Sequence, residues 1–458
     1  MKKRYISLYM CICIVIVTAL TSCQSKNNND ERITNNLLCS TNDRIHIERL
    51  SDVETPYTLC YKNTDGSVSV YIFSSPISYR NENNELELID TSLISVSEAI
   101  YKKMGYSLRT AKGEIICYFP KNQNDTPILI RDSNMQISIQ PDNNYRGRYQ
   151  KSVYVDIVGR EHPALEYYVD TNITYKYIPT SAGITVNVVF NEKPQSNTLI
   201  FYIDEQQDMS YITLNNQDVV VLSENSPSVG IIRNSYLTDS NGLFSLSNPV
   251  KIERVDGKIK YTITLDETFL SNEEVSYPVS VSPSVELTTD NYRCATVYSD
   301  YPYSYLSNFS VIGKNDLWGK GELYSKHRIN YFLKSYAQNV RSATYNYYSL
   351  GGNNEELSLE MYRLKGFWDA SNMESNMPRL SDMLNRATIT EEGIYDIDIT
   401  EYIKSCIHDD TNNTENYGLV LSSNEEPQKL ISNYNNALYK PFVRIDFYDI
   451  PWTFEKVD

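Results

Sequence analysis

Aromatic side chains in two polar segments are the residues of this sequence best suited to hold a ligand. Trp318 follows a polar run at residues 314–317. A second polar segment carries three alternating tyrosines, Tyr301, Tyr303 and Tyr305. Sugar recognition needs an aromatic face on which the ring stacks and a few polar groups that fix its orientation. These four residues are therefore candidate carbohydrate-binding residues, although most of the 39 tyrosines are expected only to line strands.

Asp396, Asp398 and Asp446 are candidate ligands of a structural calcium ion. Asp396 and Asp398 alternate on a predicted strand that runs into a helix. Asp446, or Asp449 beside it, could approach them from the last predicted strand. Calcium prefers carboxylate and carbonyl oxygens, so this arrangement suits it. The alternative is that Asp398 caps the helix, and no other cofactor is predicted.

The sequence contains no recognisable signature of a nucleophilic or metal-dependent enzyme. None of the four histidines, His46, His162, His327 and His408, stands in a known catalytic motif, so we expect each to have a structural role. A phosphate-binding loop and a dinucleotide fingerprint are also missing. We therefore predict that the protein is not an enzyme. A polysaccharide or cell-wall hydrolase stays the alternative, because its paired carboxylates are defined by the fold rather than by sequence spacing.

The N-terminus has the pattern of a lipoprotein signal peptide. Three cations at residues 2–4 precede an apolar run at residues 6–20, which is shorter than a membrane span needs. Leu20-Thr21-Ser22-Cys23 follows and resembles the bacterial lipobox. We predict cleavage after residue 22, a lipid on Cys23 and a location at the extracellular face of the membrane. An ordinary secretory signal and an uncleaved anchor are the alternatives.

The polar segment after Cys23 predicts a tether, and the net charge of the chain restricts the classes of binding partner. Residues 24–36 are rich in Asn, Ser and Asp, so we predict a disordered tether over residues 23–54. The formal net charge is −16, and removing residues 1–22 takes away three cations and no anions, which leaves −19. Nucleic-acid binding depends on clustered Lys and Arg. Nucleic acid is therefore not an expected partner.

The cysteines do not form a metal-binding or disulfide pattern. Five remain besides Cys23: Cys39, Cys60, Cys117, Cys294 and Cys406. Their number is odd, their spacings are long and no C-x-x-C occurs. We expect mostly buried free thiols, with one or two disulfides as the alternative in an oxidising compartment.

The segments that must position these residues are short and alternate in polarity, which predicts an all-β fold. Ile184, Val186, Val188 and Phe190 are one such run. Between residues 250 and 265, Asp256-Gly257 predicts a hairpin turn. Short helices are predicted at residues 95–104 and 398–407. We expect two β-rich domains, at residues 55–285 and 286–450, and a tail at residues 451–458.

The C-terminal region, from about residue 290 to 450, resembles the DNRLRE domain, a β-sandwich of bacterial surface proteins related to archaeal disaggregatase repeats. The matching segments are Val311-Ile312-Gly313, Arg328-Ile329-Asn330-Tyr331-Phe332, Trp368-Asp369-Ala370-Ser371, Asn416-Tyr417-Gly418-Leu419 and Phe442-Val443-Arg444-Ile445-Asp446. The family pattern places Trp368 at the start of a strand, which implies a core position. Ser375 stands where the family usually has a second tryptophan. The resemblance implies a jelly-roll-like β-sandwich with one short helix.

The first region resembles the segment that precedes such domains in wall-associated and Rhs-type proteins. The matching segments are Pro76-Ile77-Ser78-Tyr79, Glu87-Leu88-Ile89-Asp90-Thr91, Ile116-Cys117-Tyr118-Phe119-Pro120 and Tyr277-Pro278-Val279. Because those larger proteins continue into repeats and a toxin, we expect only the anchoring and display part here. The resemblance implies adhesion, or binding of a glycan or a surface protein, at the cell surface. A decoy or accessory of an Rhs-type toxin system is a further alternative.

Overall fold

A computed structural model describes most of the chain. The described residues are 30, 33, 34, 37, 38, 46–122, 126–142, 149–205, 208–214, 217–288, 294–305, 308–315, 318–326, 338–353, 355–366, 368, 379–408 and 417–448. The chain divides into two compact units, residues 1–44 and 45–458. In the first unit the described residues are helical, and the Thr34 hydroxyl donates to the backbone oxygen of Asp30 at 3.0 Å. The second unit holds all the strands described below.

Strands account for most of the second unit. From the first to the twenty-fourth they are β1 (His46–Arg49), β2 (Thr58–Asn63), β3 (Val68–Phe73), β4 (Ser78–Arg80), β5 (Leu86–Leu88), β6 (Asp90–Ser95), β7 (Tyr106–Lys112), β8 (Ile116–Pro120), β9 (Ile128–Arg131), β10 (Gln136–Pro141), β11 (Gln150–Val155), β12 (Glu161–Tyr168), β13 (Ile173–Pro179), β14 (Gly183–Phe190), β15 (Thr198–Asp204), β16 (Met209–Thr213), β17 (Val219–Ser223), β18 (Val229–Arg233), β19 (Leu237–Thr238), β20 (Phe244–Ser245), β21 (Val250–Val255), β22 (Lys258–Thr264), β23 (Val279–Val281) and β24 (Ser284–Thr288). The remainder are β25 (Cys294–Tyr298), β26 (Tyr301–Tyr305), β27 (Phe309–Asn315), β28 (Gly319–Ser325), β29 (Val340–Gly352), β30 (Leu357–Leu364), β31 (Arg379–Ile389), β32 (Gly393–Asp398), β33 (Leu419–Ser422), β34 (Lys429–Ser432) and β35 (Phe442–Phe447).

Helices are short and few among the described residues. In the second unit they are a 3-10 turn (Ser51–Val53), α1 (Ala99–Lys103), α2 (Glu267–Leu270) and α3 (Thr400–His408). No described helix is long and apolar enough to cross a membrane. Strand makes up 56% of the structure and helix 8%, so the all-β prediction is confirmed.

The first sandwich is built from an eight-stranded and an eleven-stranded sheet. The smaller has the order β21-β22-β15-β10-β9-β8-β7-β6, and the larger is centred on β14 and β24. Both sheets contribute to one apolar core, with Phe119 and Ile130 from the first and Val186 and Tyr175 from the second, all fully buried. The predicted hairpin at Asp256-Gly257 is confirmed, because β21 and β22 pair across it. Alternating side chains on each strand bury one face and expose the other.

The second sandwich is one continuous fourteen-stranded sheet that folds over itself. Strand β27 makes the fold possible, because Phe309–Ile312 pairs with β34 and Gly313–Asn315 then pairs with β28. Gly313 has a φ of +98°, and a Cβ on it would lie 1.8 Å from the oxygen of Pro427. Only glycine fits this crossing point. The two halves enclose a common core, as a sandwich does.

The second sandwich also contains strands from the N-terminal part of the unit. Strand β3 pairs along its full length with β35, which in turn pairs with β29. Residues 58–73, which we assigned to the first domain, therefore lie in the sheet of the C-terminal strands. Residues 46–54, at the end of the expected tether, are ordered as well, because the buried Glu54 carboxylate pairs with Arg49 at 2.7 Å and β1 pairs with β2. The domain and tether boundaries otherwise stay predictions.

The two predicted helices are present but differ in length from the prediction. In α3 the stripe of Ile399, Tyr402, Ile403 and Cys406 is buried, as expected from its helical spacing. Helix α1 is shorter than predicted and begins only at Ala99, because residues 90–95 belong to strand β6 and pair with β7.

Candidate functional site at the junction of the two sandwiches

An apolar cluster joins the two sandwiches. Tyr348, Phe309 and Tyr439 of the second sandwich are buried in it, and Ile157 and Tyr236 of the first pack against them. The rings of Tyr236 and Phe309 meet edge to face with centroids 4.9 Å apart. Edge-to-face pairs of this kind are favourable beyond the area that they bury. The junction is thus a packed interface rather than a loose contact.

Arg160 holds the polar side of this junction. Its Nε atom lies 2.6 Å from Oδ2 of Asp156, which is fully buried. Its guanidinium lies over the ring of Tyr348 at 5.0 Å and over that of Tyr439 at 5.7 Å. Nη1 donates to the Tyr348 hydroxyl at 3.2 Å, and Nη2 donates to the backbone oxygen of Leu438 at 3.3 Å. One side chain of the first sandwich therefore binds three residues of the second.

Asp156 remains ionised in this cluster although it is buried. Burial alone raises its pKa, but the hydrogen bond from His162 and the charge of Arg160 outweigh burial and lower the pKa to about 2. His162 Nε2 lies 2.8 Å from Oδ2 of Asp156. Burial lowers the pKa of His162 despite this neighbour, so its imidazole is neutral at pH 7. The cluster carries its charge in the Arg160–Asp156 pair.

A cavity of about 230 Å³ lies beside the Arg160 cluster, between the two sandwiches. The lining residues that matter for binding are Tyr154, Asn187, Tyr236, Asp239, Glu392 and Tyr439. The first four belong to the first sandwich and the last two to the second. We call this space the junction cavity.

Some polar groups that line the junction cavity already form hydrogen bonds within the protein, and one does not. The hydroxyls of Tyr154 and Tyr439 lie 3.3 Å apart. Asp239 accepts backbone N–H bonds from Asn241 and Leu243, both at 2.8 Å, and another at 2.9 Å from Ser276. In contrast, the buried Oδ1 atom of Asn187 has no hydrogen-bond partner within the described part of the chain. A buried amide oxygen without a donor is costly, so it is a site that a ligand hydroxyl would satisfy.

Glu392 contributes a carboxyl group at the rim of the cavity. It lies in the turn between β31 and β32 and is exposed overall. The protein around its carboxyl raises the pKa by desolvation, and the charge of Lys429 opposes that shift. Gly242 and Gly351 lie close to its Oε1 atom, where a Cβ on either would be in ordinary van der Waals contact at 3.5 Å. Glu392 is one of the residues that line the cavity.

The predicted aromatic platform lies in the second sandwich, near the junction. Trp318 is half-buried and packs against Tyr298, with ring centroids 5.0 Å apart. Strand β26 carries Tyr301, Tyr303 and Tyr305, and Tyr301 is opposite Tyr298 in the pairing of β25 with β26. The side chains of these three tyrosines are outside the described part of the structure. Trp318 is not among the residues that line the junction cavity. The sugar-binding role of the predicted platform stays a prediction.

The predicted calcium ligands are not brought together among the described residues. Asp398 Oδ1 accepts from the backbone N–H of Thr400 at 2.8 Å, which is the helix-capping alternative. Asp446 is buried and accepts from Ser69 at 2.6 Å. Asp396 lies opposite Asn346 on β29. No group of three or more His, Cys, Asp or Glu side chains in the described ranges could hold a metal ion. Asp449 lies outside those ranges, and the calcium site stays a prediction.

The cysteines that the structure describes are buried, as the sequence predicts. Cys60, Cys117, Cys294 and Cys406 are buried thiols that form no disulfide, so the prediction of buried thiols is confirmed for these four. Burial raises the pKa of the Cys294 thiol to about 12, which keeps it protonated and unreactive. Cys23 and Cys39 lie outside the described residues. Trp368 is also buried, as expected, and its Nε1 donates to the backbone oxygen of Tyr417 at 2.6 Å.

Comparisons with known proteins add little to this geometry. No protein-family profile matches the sequence. No curated protein matches it either. Two crystal structures of an exo-β-1,3-galactanase from Phanerochaete chrysosporium, one with β-1,3-galactotriose and one with galactose, are similar to 86% of this chain over 94% of theirs. The identity is 8% and the TM-score 0.13, which is too low to support an inference about fold or function.

Proposed function

We propose that this protein is a non-catalytic lipoprotein of the cell envelope that binds a short neutral glycan in the junction cavity. The observation that carries the proposal is the unpartnered Oδ1 atom of Asn187, which faces a space also lined by tyrosine rings and a carboxyl group. Sugar recognition uses such a set: aromatic faces for the apolar side of the ring and fixed polar groups for its hydroxyls.

The charge of the cavity favours a neutral ligand. Asp239 and Glu392 are acidic, and no basic residue is among the described residues that line the cavity. Arg160 lies next to it, but Asp156 already neutralises its guanidinium. An acidic glycan would therefore bring its negative charges close to two carboxyl groups. A neutral sugar instead offers hydroxyl donors that Asn187 and Glu392 can accept.

The location follows from the predicted signal peptide. A lipid on Cys23 would hold the β-rich unit at the extracellular face of the membrane, where cell-wall or exogenous glycans and surface proteins are the available partners. Adhesion and display then require only retention of the glycan. Neither role requires a reaction on the glycan, which agrees with the absence of a catalytic motif from the sequence.

Binding to a glycan array, followed by calorimetry with the glycans retained, tests this proposal on the full-length protein. Asn187→Ala should weaken binding about tenfold, the equivalent of about 1.4 kcal/mol, because one buried hydrogen bond is lost. Asn83→Ala, at an exposed turn, is the matched control and should bind like the unmodified protein. Full retention of affinity in Asn187→Ala would reject the junction cavity as the binding site.

Trp318→Ala separates the junction cavity from the predicted aromatic platform. If a glycan stacks on Trp318 and its neighbouring tyrosines, this variant loses binding while Asn187→Ala keeps it. The reverse result supports the cavity. Thermal melting of both variants shows whether a loss of binding reflects unfolding, since Trp318 also packs against Tyr298.

A hydrolase is the second candidate, and Glu392 is the observation in its favour. Its pKa is raised, as a general acid requires, and Asp239 lines the same cavity. Against this, the Asp239 carboxylate already accepts three backbone N–H bonds, which leaves it poorly placed to act as a base or a nucleophile. Release of reducing sugar that disappears in Glu392→Gln would favour the hydrolase over the binding protein.

A further inference from the structure

A second recess, of about 100 Å³, is lined by residues that include four serines whose buried hydroxyls have no partner among the described residues. They are Ser74, Ser75, Ser78 and Ser181, and their Oγ atoms are buried without a hydrogen bond among the described residues. Ser78 is 1% exposed. Four unpaired hydroxyls on one small space are unusual, since most buried polar atoms are bonded to protein or to water. We call this space the serine recess.

The serines are held in place by backbone bonds from different parts of the fold. The N–H of Ser74, just after β3, donates to the oxygen of Pro441 at 3.0 Å. The N–H of Ser78, at the start of β4, donates to the oxygen of Pro56 at 3.1 Å. Ser181 lies in the tight turn between β13 and β14 of the first sandwich. The backbone that carries the serines is therefore fixed before a ligand arrives, which lowers the entropic cost of binding.

The surroundings of the serine recess are acidic, and the one cationic residue among its described lining residues is already paired. Arg233 lines it, and its guanidinium is bonded to Glu286 at 2.7 Å and to Asp218 at 3.4 Å. Asp132 is bonded to the Ser228 hydroxyl at 2.5 Å and to two backbone N–H groups. Glu114 adds a further negative charge at the exposed side. No unneutralised cation among the described lining residues is available to bind a phosphate, sulfate or carboxylate.

We propose that the serine recess binds a neutral polyhydroxy ligand, such as a linear polyol or one edge of a sugar unit. Each serine hydroxyl both donates and accepts, and a ligand hydroxyl does the same, so the two sets can pair without any charge. The rings of Tyr57 and Tyr79 also line the recess and offer apolar faces for the carbon side of such a ligand.

This second site goes beyond the proposed glycan binding in the junction cavity. The two spaces share no lining residue. A ligand of the serine recess touches residues of β4 and of the β13–β14 turn. The junction cavity is lined by other residues, around Tyr154 and Tyr439. Loss of one site therefore leaves the other available.

Ligand-observed NMR and thermal melting on the full-length protein test the proposal. The probes are glucose, galactose, mannose, N-acetylglucosamine, erythritol and sorbitol, with glucose 6-phosphate and glucuronate as charged counterparts. At least one neutral probe should bind and raise the Tm, and its charged counterpart should bind at least tenfold more weakly. If no neutral probe binds, or the charged probes bind as well as the neutral ones, the proposal is wrong and the recess holds only water.

The double variant Ser78→Ala/Ser181→Ala identifies the site. Without ligand its Tm should equal or exceed that of the unmodified protein, because the change removes two unpaired buried hydroxyls. With the neutral probe it should lose at least tenfold in affinity and most of the ligand-induced rise in Tm. Ser196→Ala, an exposed serine, is the matched control. Unchanged affinity in the double variant would overturn the assignment.

Asn187→Ala distinguishes this proposal from the proposed function. The variant removes the junction-cavity acceptor and should leave binding of the neutral probe to the serine recess unchanged. A loss of probe binding in Asn187→Ala, with none in Ser78→Ala/Ser181→Ala, would place the probe in the junction cavity and reject the serine recess.

Discussion

The hydroxyl of Tyr154 lies 3.3 Å from the hydroxyl of Tyr439, although 285 residues separate them in the chain. Tyr154 belongs to strand β11 of the first sandwich, and Tyr439 lies between β34 and β35 of the second. The Arg160 guanidinium lies over the ring of Tyr439 at 5.7 Å. The wall of the junction cavity thus depends on a contact between distant parts of the sequence.

Removal of the Arg160 guanidinium should destabilise the protein strongly. Arg160→Met leaves the fully buried Asp156 carboxylate without its cation, which typically costs about 3 to 5 kcal/mol. Arg254→Met is the matched control, because Arg254 forms a 2.6 Å ion pair with Glu205 but is 68% exposed, and should cost less than about 1 kcal/mol. Urea unfolding of both variants measures the difference. Equal losses would show that the junction does not depend on Arg160.

Stability should fall at acidic pH as Asp156 is protonated. Its folded pKa of about 2 is below the unfolded value of 3.8, so its contribution is present above pH 3.8 and is lost as the pH falls towards 2. The contribution is about 2 kcal/mol. Unfolding free energies measured between pH 2 and pH 5 for the unmodified protein and for Asp156→Asn should show a steeper decline in the former. Parallel curves would contradict the assigned ion pair.

Lys440 should make stability rise further with pH in the alkaline range. Burial, with the nearby charge of Arg160, lowers its pKa from 10.5 to about 7 in the folded protein. Because the unfolded chain binds the proton more tightly, stability should rise as the pH increases from about 7 towards 10.5 and be constant below. Lys440→Met should raise the free energy of unfolding at pH 7 by more than about 1 kcal/mol and flatten this slope. Lys251→Met, at a 70% exposed side chain, should change neither.

The crossing point of the second sandwich should tolerate no side chain. In Gly313→Ala the new Cβ would meet the oxygen of Pro427 at 1.8 Å, and we expect a loss of about 3 kcal/mol or more. Gly66→Ala is the control: its φ is +82°, yet nothing lies within 4 Å, so only the backbone strain of about 1 kcal/mol applies. Thermal melting of the two variants compares them. Similar losses of stability in the two variants would show that the switch of β27 from β34 to β28 does not require a close backbone approach at residue 313.

The predicted lipid anchor is tested at Cys23. Expressed in a bacterium and labelled with radioactive palmitate, the unmodified protein should carry the label and fractionate with membranes. Cys23→Ser should lose both, because the thiol is the only atom of that residue which can take the diacylglyceryl group. Persistent labelling of Cys23→Ser would show that the anchor lies elsewhere.

The local parts of this fold could be predicted from the sequence, because they depend on near neighbours. The alternation from Ile184 to Phe190 is sufficient to identify β14, since every second side chain must enter the core. Asp256-Gly257 specifies its turn through two positive φ angles of 50° and 74°. The buried stripe of α3 follows from helical spacing alone.

The junction could not be predicted in this way. Arg160, Tyr348 and Tyr439 show no local pattern, and their contact exists only after both sandwiches have formed. Asn187 occupies one of the alternating outward positions of β14, which usually means an exposed face. The sequence predicts a sugar-binding role for Trp318 instead, because aromatic residues in polar segments are visible in a sequence and cavities are not.

The pairing of β3 with β35 has a consequence for the order of synthesis and folding. The whole first sandwich, between β3 and β25, is an insertion within the second. Residues 58–73 leave the ribosome early, yet their partner at residues 442–447 emerges only after more than 360 further residues. Ser69 and Asp446, whose side chains form a hydrogen bond, are 377 residues apart. The inserted sandwich can fold meanwhile as an independent unit. The second sandwich must close the largest loop of the molecule last, so it should be the slower of the two to form.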